Sequence, residues 1–200
     1  MAKIRPDLFY AYVGAGQVVN AQENETVNYA RVLNKAKALG DSKAHAELQA
    51  SGSPPYAAMK ALTTQRIWAQ AYEHADSYEA AGQASSLYAP GYSILDIYHA
   101  IQSIRFTLDT FIGPTMSGPA MKVDLNALGP DFAIPIFVFE GPDDYITSPE
   151  LAKAYVDTLN APQKEFVMLP AGGHFAVFTH PADFLNEMNS RVRPLAALHP

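Results

Sequence analysis

The chain contains no cysteine. That excludes disulfides, thiolate metal sites and a cysteine nucleophile, and it suits a reducing cytoplasm, the compartment expected here. Basic charge is scarce as well: 14 Lys and Arg stand against 20 Asp and Glu, for a net charge of -6. With no dense Lys/Arg run, a nucleic-acid surface is not expected. Long uninterrupted apolar runs are missing. The most apolar stretch, residues 94–112, carries Asp96, His99, Arg105 and Asp109, too many polar groups for a membrane span. After Met1 there is no apolar segment and cleavage site of the kind a secretory signal needs. No HExxH or paired-histidine spacing points to a metal, and Gly14-Ala-Gly16 is too short to stand for a dinucleotide or phosphate loop. No cofactor is expected.

What is present is globular: 48% hydrophobic and 17% charged residues in 200, enough for one good core or a small domain with an insertion. The chain reads in three parts, 1–19, 20–118 and 119–200. In the first, Leu8 to Val13 is a near-continuous apolar run ended by Gly14-Ala-Gly16, the pattern of a strand buried on both faces. Met1 to Arg5 read as the last turn of a helix stopped by Pro6. The middle part is helical. Asn20 with Glu23 resembles a capping box for a helix to about Leu39, closed by Gly40. A short helix over 41–50 follows, then a break at Ser51-Gly-Ser-Pro-Pro55. Another helix spans 56–75, with Met59, Leu62, Ile67 and Ala71 near one face. A Gly/Ser/Pro stretch over 82–91 precedes a helix over 93–112. The last part alternates: a strand at 134–139, a helix opened by Thr147-Ser-Pro-Glu150 and running to Leu159, a strand at 165–169, and a closing helix over 181–192. Strand and helix alternating with short links predict a parallel sheet and an α/β fold.

Two residues of this last part carry the chemistry. Asp144 follows the 134–139 strand on the turn Gly141-Pro-Asp-Asp-Tyr145. His174 follows the next strand on Ala171-Gly-Gly-His-Phe175. Ligands of open parallel sheets bind outside the carboxyl ends of the strands, and adjacent strands place their following loops side by side. A carboxylate there can fix one imidazole nitrogen and leave the other free to take a proton from a nucleophile. A lone histidine after a strand is ordinarily structural, and an aspartate in a Gly/Pro turn is ordinarily a turn former. The pairing at matched strand ends is what points to chemistry. Asp143 is the rival carboxylate. His45, His74 and His99 fall on middle helices, where structural or solvated roles are expected; His180 precedes Pro181 at a helix start and His199 is in the tail.

These features resemble the α/β-hydrolase superfamily, within it the proline-iminopeptidase-like (S33-type) branch. The segment from Arg5 to Gln17 looks like the sixth strand of that fold, with the end of the helix before it and its Gly-Gln exit. Residues 20–118 look like the helical cap inserted after that strand. Ile134 to Asp144 look like the seventh strand and acid turn, Glu165 to His174 like the eighth strand and its histidine, and Phe184 fits an apolar packing position of the closing helix. The resemblance implies the C-terminal part of an α/β-hydrolase fold, with about three parallel strands and a large helical cap. It makes Asp144 the triad acid and His174 the triad base. One departure concerns the acid turn: Ser148 stands where the family often has proline, and Pro149 follows it, so the choice against Asp143 rests on position.

The resemblance also implies a serine nucleophile on a Gly-x-Ser-x-Gly elbow preceding both residues in sequence. No such motif occurs among the 200 residues, and its expected place is upstream of Met1. The chain alone is therefore expected to be inactive and to leave one strand edge unpaired. The parent reading is a serine hydrolase, of peptidase or esterase type, acting on a small-molecule or peptide substrate. Glu23 and Glu25 could meet a substrate ammonium, although solvated acids at a helix start are the ordinary explanation. The alternative is a non-catalytic, hydrolase-like protein binding a small ligand or partner under its lid.

Overall fold

A computed structural model describes residues 1–73 and 91–197. Three parallel strands, β1 (Tyr12–Ala15), β2 (Ile136–Glu140) and β3 (Lys164–Met168), form a sheet in that order. β2 is central and all five of its residues are buried, which is why its sequence is apolar until the final Glu140. Its side chains alternate between faces. Ile136 and Val138 meet Ala152, Tyr155, Val156 and Leu159 in one core cluster. Phe137 and Phe139 meet Val167, Leu169 and Ala176 in another. Phe184 packs edge-on against Phe139 with ring centroids 5.2 Å apart. Burying each phenylalanine contributes about 1.5–3 kcal/mol.

The edge strand departs from expectation. It starts at Tyr12 and not at Leu8, and Gly14 lies inside it instead of ending it. Pro6 begins a 3-10 turn over Pro6–Leu8, as its fixed φ and missing N–H favour. Leu8, Phe9 and Tyr10 are left exposed. Met1 to Arg5 form a single turn, with Ile4 N and Arg5 N both donating to Met1 O at 2.9 Å. β1 is only partly buried, because β2 covers just one of its edges.

Between β1 and β2 runs a helical insertion. The chain enters and leaves it at one point: Ala21 N donates to Val123 O at 2.9 Å and Leu125 N to Val19 O at 2.7 Å. α1 (Ala21–Leu39) is capped by Asn20, whose side chain accepts from Gln22 N and Glu23 N, and it closes on Gly40 at φ +67°. α2 (Ser42–Ser51) is capped by Asp41. α3 spans Met59–Tyr72, shorter at both ends than the 56–75 expected. Its buried face is Leu62, Gln65 and Ala69; Ile67, expected on it, is 56% exposed. These three helices close around Val32, Ala36, Ala44, Leu48 and Ala69, with Tyr145 reaching in from the sheet end. α4 (Ile94–Thr107) opens on a reciprocal Ser93–Asp96 box and runs into a π turn at Leu108–Ile112. His74, His199 and most of the 82–91 stretch lie outside the described residues.

α5 (Pro149–Thr158) links β2 to β3. Its cap is Ser148, which accepts from Leu151 N at 3.2 Å, and not Thr147 as the capping-box spacing suggested. The closing segment is α6 (Ala176–Thr179), α7 (Pro181–Glu187), a π turn at Met188–Val192 and α8 (Arg193–Ala197), where one continuous helix over 181–192 was expected. Among the described residues no helix is long and apolar enough to cross a membrane.

Candidate active site

The site forms where the loops after β2 and β3 meet. Parallel pairing sets Glu140 beside Met168, so both loops leave the same end of the sheet. Asp143 N donates to Gly172 O at 3.1 Å and ties one loop to the other.

Asp144 is fully buried. One carboxylate oxygen, Oδ1, accepts from Ile146 N at 2.8 Å and Thr147 N at 2.7 Å. The other, Oδ2, accepts from the Thr147 hydroxyl and lies 3.0 Å from His174 Nδ1. Four donors around one carboxylate fix its orientation and compensate its burial. This is why Thr147 does not cap α5: its N–H and hydroxyl both serve Asp144.

His174 keeps a quarter of its side chain exposed. Its ring lies edge-on to Phe175 at 5.1 Å, with Nδ1 also 3.4 Å from Thr147 Oγ1. The exit of β1 makes room for it. Gly16 sits at φ +58°, and a Cβ there would fall 2.9 Å from His174 Cε1. Both the backbone conformation and the close approach require glycine. Burial lowers the imidazole pKa, but the Asp144 hydrogen bond and charge, with Glu73 adding to them, outweigh it and hold His174 above its ordinary value. The arrangement therefore stabilises an imidazolium, as a general base requires.

Of the residues singled out from sequence, Asp144 and His174 are brought together. The carboxylate hydrogen-bonded to the imidazole is that of Asp144, while Asp143 takes part through its main chain. His45 lies on α2, His99 is exposed on α4, and His180 bonds the Thr179 hydroxyl at 2.9 Å. Glu23 is exposed. Glu25 is buried and paired with Arg66, so it is not the solvated helix-start acid expected.

Two carboxylates escaped the sequence reading. Glu140, ending β2, is 1% exposed; its Oε1 accepts from Gln17 N at 2.7 Å, and its Oε2 has no hydrogen-bond partner among the described residues. Burial pushes its carboxyl up to about 8, the Gln17 bond opposing and the Asp144 charge adding. A charged residue closing an apolar run was the available signal. Glu73, just past α3, is 2% exposed and accepts from Tyr145 N at 2.9 Å and His174 N at 3.0 Å. Nothing local in the sequence marks it.

No family model matches the chain. It is 22% identical over 193 residues to a probable aminopeptidase, YbaC, of Bacillus subtilis (strain 168), covering 94% of this chain and 59% of that protein. Among solved structures, VinJ aligns with a TM-score of 0.57 at 14% identity, over 93% of this chain and 58% of its own. A proline iminopeptidase of Mycobacterium smegmatis aligns at 0.56 and 14% identity, over 100% of this chain and 62% of its own. The chain thus spans about three fifths of the length of each. With three parallel strands, a helical insertion and these likenesses, it carries part of an α/β-hydrolase fold.

Proposed function

We propose that the chain supplies the acid and base of a serine hydrolase, with peptide or ester substrates and removal of an N-terminal residue as the favoured reaction. The observation that carries this reading is the 3.0 Å contact between His174 Nδ1 and the buried Asp144 Oδ2. Asp144 holds the ring by its Nδ1–H and stabilises the imidazolium. Nε2 takes the proton of a serine hydroxyl as that oxygen attacks the acyl carbon, then returns it to the leaving amine or alkoxide. The serine comes from a Gly-x-Ser-x-Gly segment outside these 200 residues, and the insertion over 20–118 acts as a cap above the pocket. Aminopeptidase is favoured within hydrolase because the curated relative and one structural neighbour bear peptidase names. Fold alone does not decide between peptidase and esterase.

The test uses aminoacyl-arylamide and aryl-ester substrates. Residues 1–200 alone should give no turnover. A longer protein carrying the serine elbow should turn over, and His174→Ala should lower its kcat by a factor on the order of 10⁶. Turnover by the 200-residue chain that dies with His174→Ala, or a longer protein indifferent to that change, sinks the reading.

A further inference from the structure

Among the described residues of the insertion, Glu73 is the one whose carboxylate hydrogen-bonds main chain in both catalytic loops. Its Oε1 takes the N–H of Tyr145, the residue directly after Asp144. Its Oε2 takes the N–H of His174 itself. Each is a charge-assisted bond of ordinary length, formed out of solvent, and such bonds are about twice as strong as neutral ones. Leaving two buried N–H groups without acceptors would be costly. The site is also shaped around this carboxylate: a Cβ at Gly173 would fall 2.3 Å from Glu73 Oε2, so the histidine loop has a glycine where the carboxylate passes.

The carboxylate's own position is set by α3. Glu73 N donates to Ala69 O at 3.0 Å, continuing the helical ladder by one residue. Ala69 is fully buried in the cluster that joins α1, α2 and α3 to Tyr145. A shift of α3 therefore moves the acceptor shared by the two loops.

Building on the acid–base reading of Asp144 and His174, we infer that Glu73 is a positioning residue through which the helical insertion sets the distance between the acid and the base. Glu73 touches neither reacting atom. It fixes the two loops against each other from above, while Asp143 N to Gly172 O fixes them from within. Its charge also acts on the pair. Among the described residues, Asp144 and His174 are the charged groups that bear on it, and Arg66 of α3 also bears on His174, lowering its pKa where Glu73 raises it.

The experiment is amide and imidazole NMR on the 200-residue chain, which needs no turnover. In Glu73→Gln, one acceptor is replaced by a donor and the charge is lost. At least one of the Tyr145 and His174 amides should exchange about tenfold faster or more, the loss expected for a hydrogen bond to a charged group. The amides of β2 and β3 should keep their protection. The His174 pKa should fall, because a charge that raises it is gone. In the longer, active protein the same change should lower kcat about tenfold or more with KM little altered. A folded Glu73→Gln chain with wild-type exchange at both amides and an unmoved His174 pKa overturns the inference. If the variant does not fold, the wild-type chain supplies the test: the Tyr145 and His174 amide shifts should follow the titration of the Glu73 carboxyl, and their failure to do so overturns it equally. Failure of hydrolysis would remove the function proposed above while leaving these NMR outcomes to decide the brace.

Discussion

At the residue scale, Glu140 is the side chain most at odds with its surroundings. A carboxyl 1% exposed at the end of β2 keeps its proton to about pH 8, far above its ordinary value of 4.5. The folded state holds that proton more tightly than the unfolded chain. Below pH 4.5 both states are protonated and there is no cost. Between 4.5 and about 8 the unfolded chain alone loses the proton, so stability falls as pH rises; above 8 the cost is fully present. Glu140→Gln keeps the shape and the acceptor for Gln17 N while removing the charge. It should stabilise the fold by up to about 4 kcal/mol at pH 8, with the gain vanishing toward pH 4.5. Thermal melts of both proteins across this range check it; a gain that is flat with pH would refute the assignment. Asp144 and His174 stood out in the sequence because each sits in a Gly-rich turn after an apolar run. Glu73 did not, because its partners lie 72 and 101 residues away and no local pattern encodes them.

At the scale of elements, α1 supports the acid turn through two buried asparagines. Asn24 Nδ2 and Asn28 Nδ2 both donate to Ile146 O at 2.9 Å, and Asn24 Oδ1 accepts from Ser148 N at 2.9 Å. Asn24→Ala should leave Ser148 N without that acceptor and cost about 1–3 kcal/mol. It should also loosen the turn that holds Asp144. Urea denaturation gives the first effect, and amide exchange at Ile146 and Thr147 the second; a neutral change in both would contradict this role for α1. Helix ends were readable at Asn20 and Gly40, a side-chain cap and a left-handed closing glycine that are local chemistry. The start of α5 was misassigned by one residue because Asp144 competes for Thr147. The starts of β1 and β2 were misplaced because apolar runs extend beyond the hydrogen-bonded ladder. Leu8 to Tyr10 belong to the run but lie outside β1.

At the scale of the molecule, no strand of the described residues pairs with the outer edge of β1. Leu8, Phe9 and Tyr10 are exposed, and Phe9 lines a groove of about 310 Å³ with Tyr12, Leu125, Phe132, Ile136 and Leu159. α4 adds Ile94, Leu95, Tyr98, Ile101, Ile104 and Phe106, all more than half exposed. An unpaired strand edge beside apolar surface favours association with another chain. The 200-residue chain should self-associate as its concentration rises and bind an apolar dye, with Phe9→Lys weakening both. Sedimentation velocity checks this, and a single monomeric species at every concentration would refute it.

The sequence by itself determined the kinds of element and their order: apolar runs for β2 and β3, capped helices between β1 and β2, and an aspartate and a histidine each following a strand. Those are short-range properties, carried by periodicity, capping groups and turn residues within a few positions of one another. Only the tertiary structure decided that Asp144 and His174 meet at 3.0 Å, that Glu73 binds the main chain of both their loops, and that Glu140 is shut away from water. These depend on how separately encoded elements pack, since burial and convergent hydrogen bonding arise from the whole fold and not from neighbours along the chain.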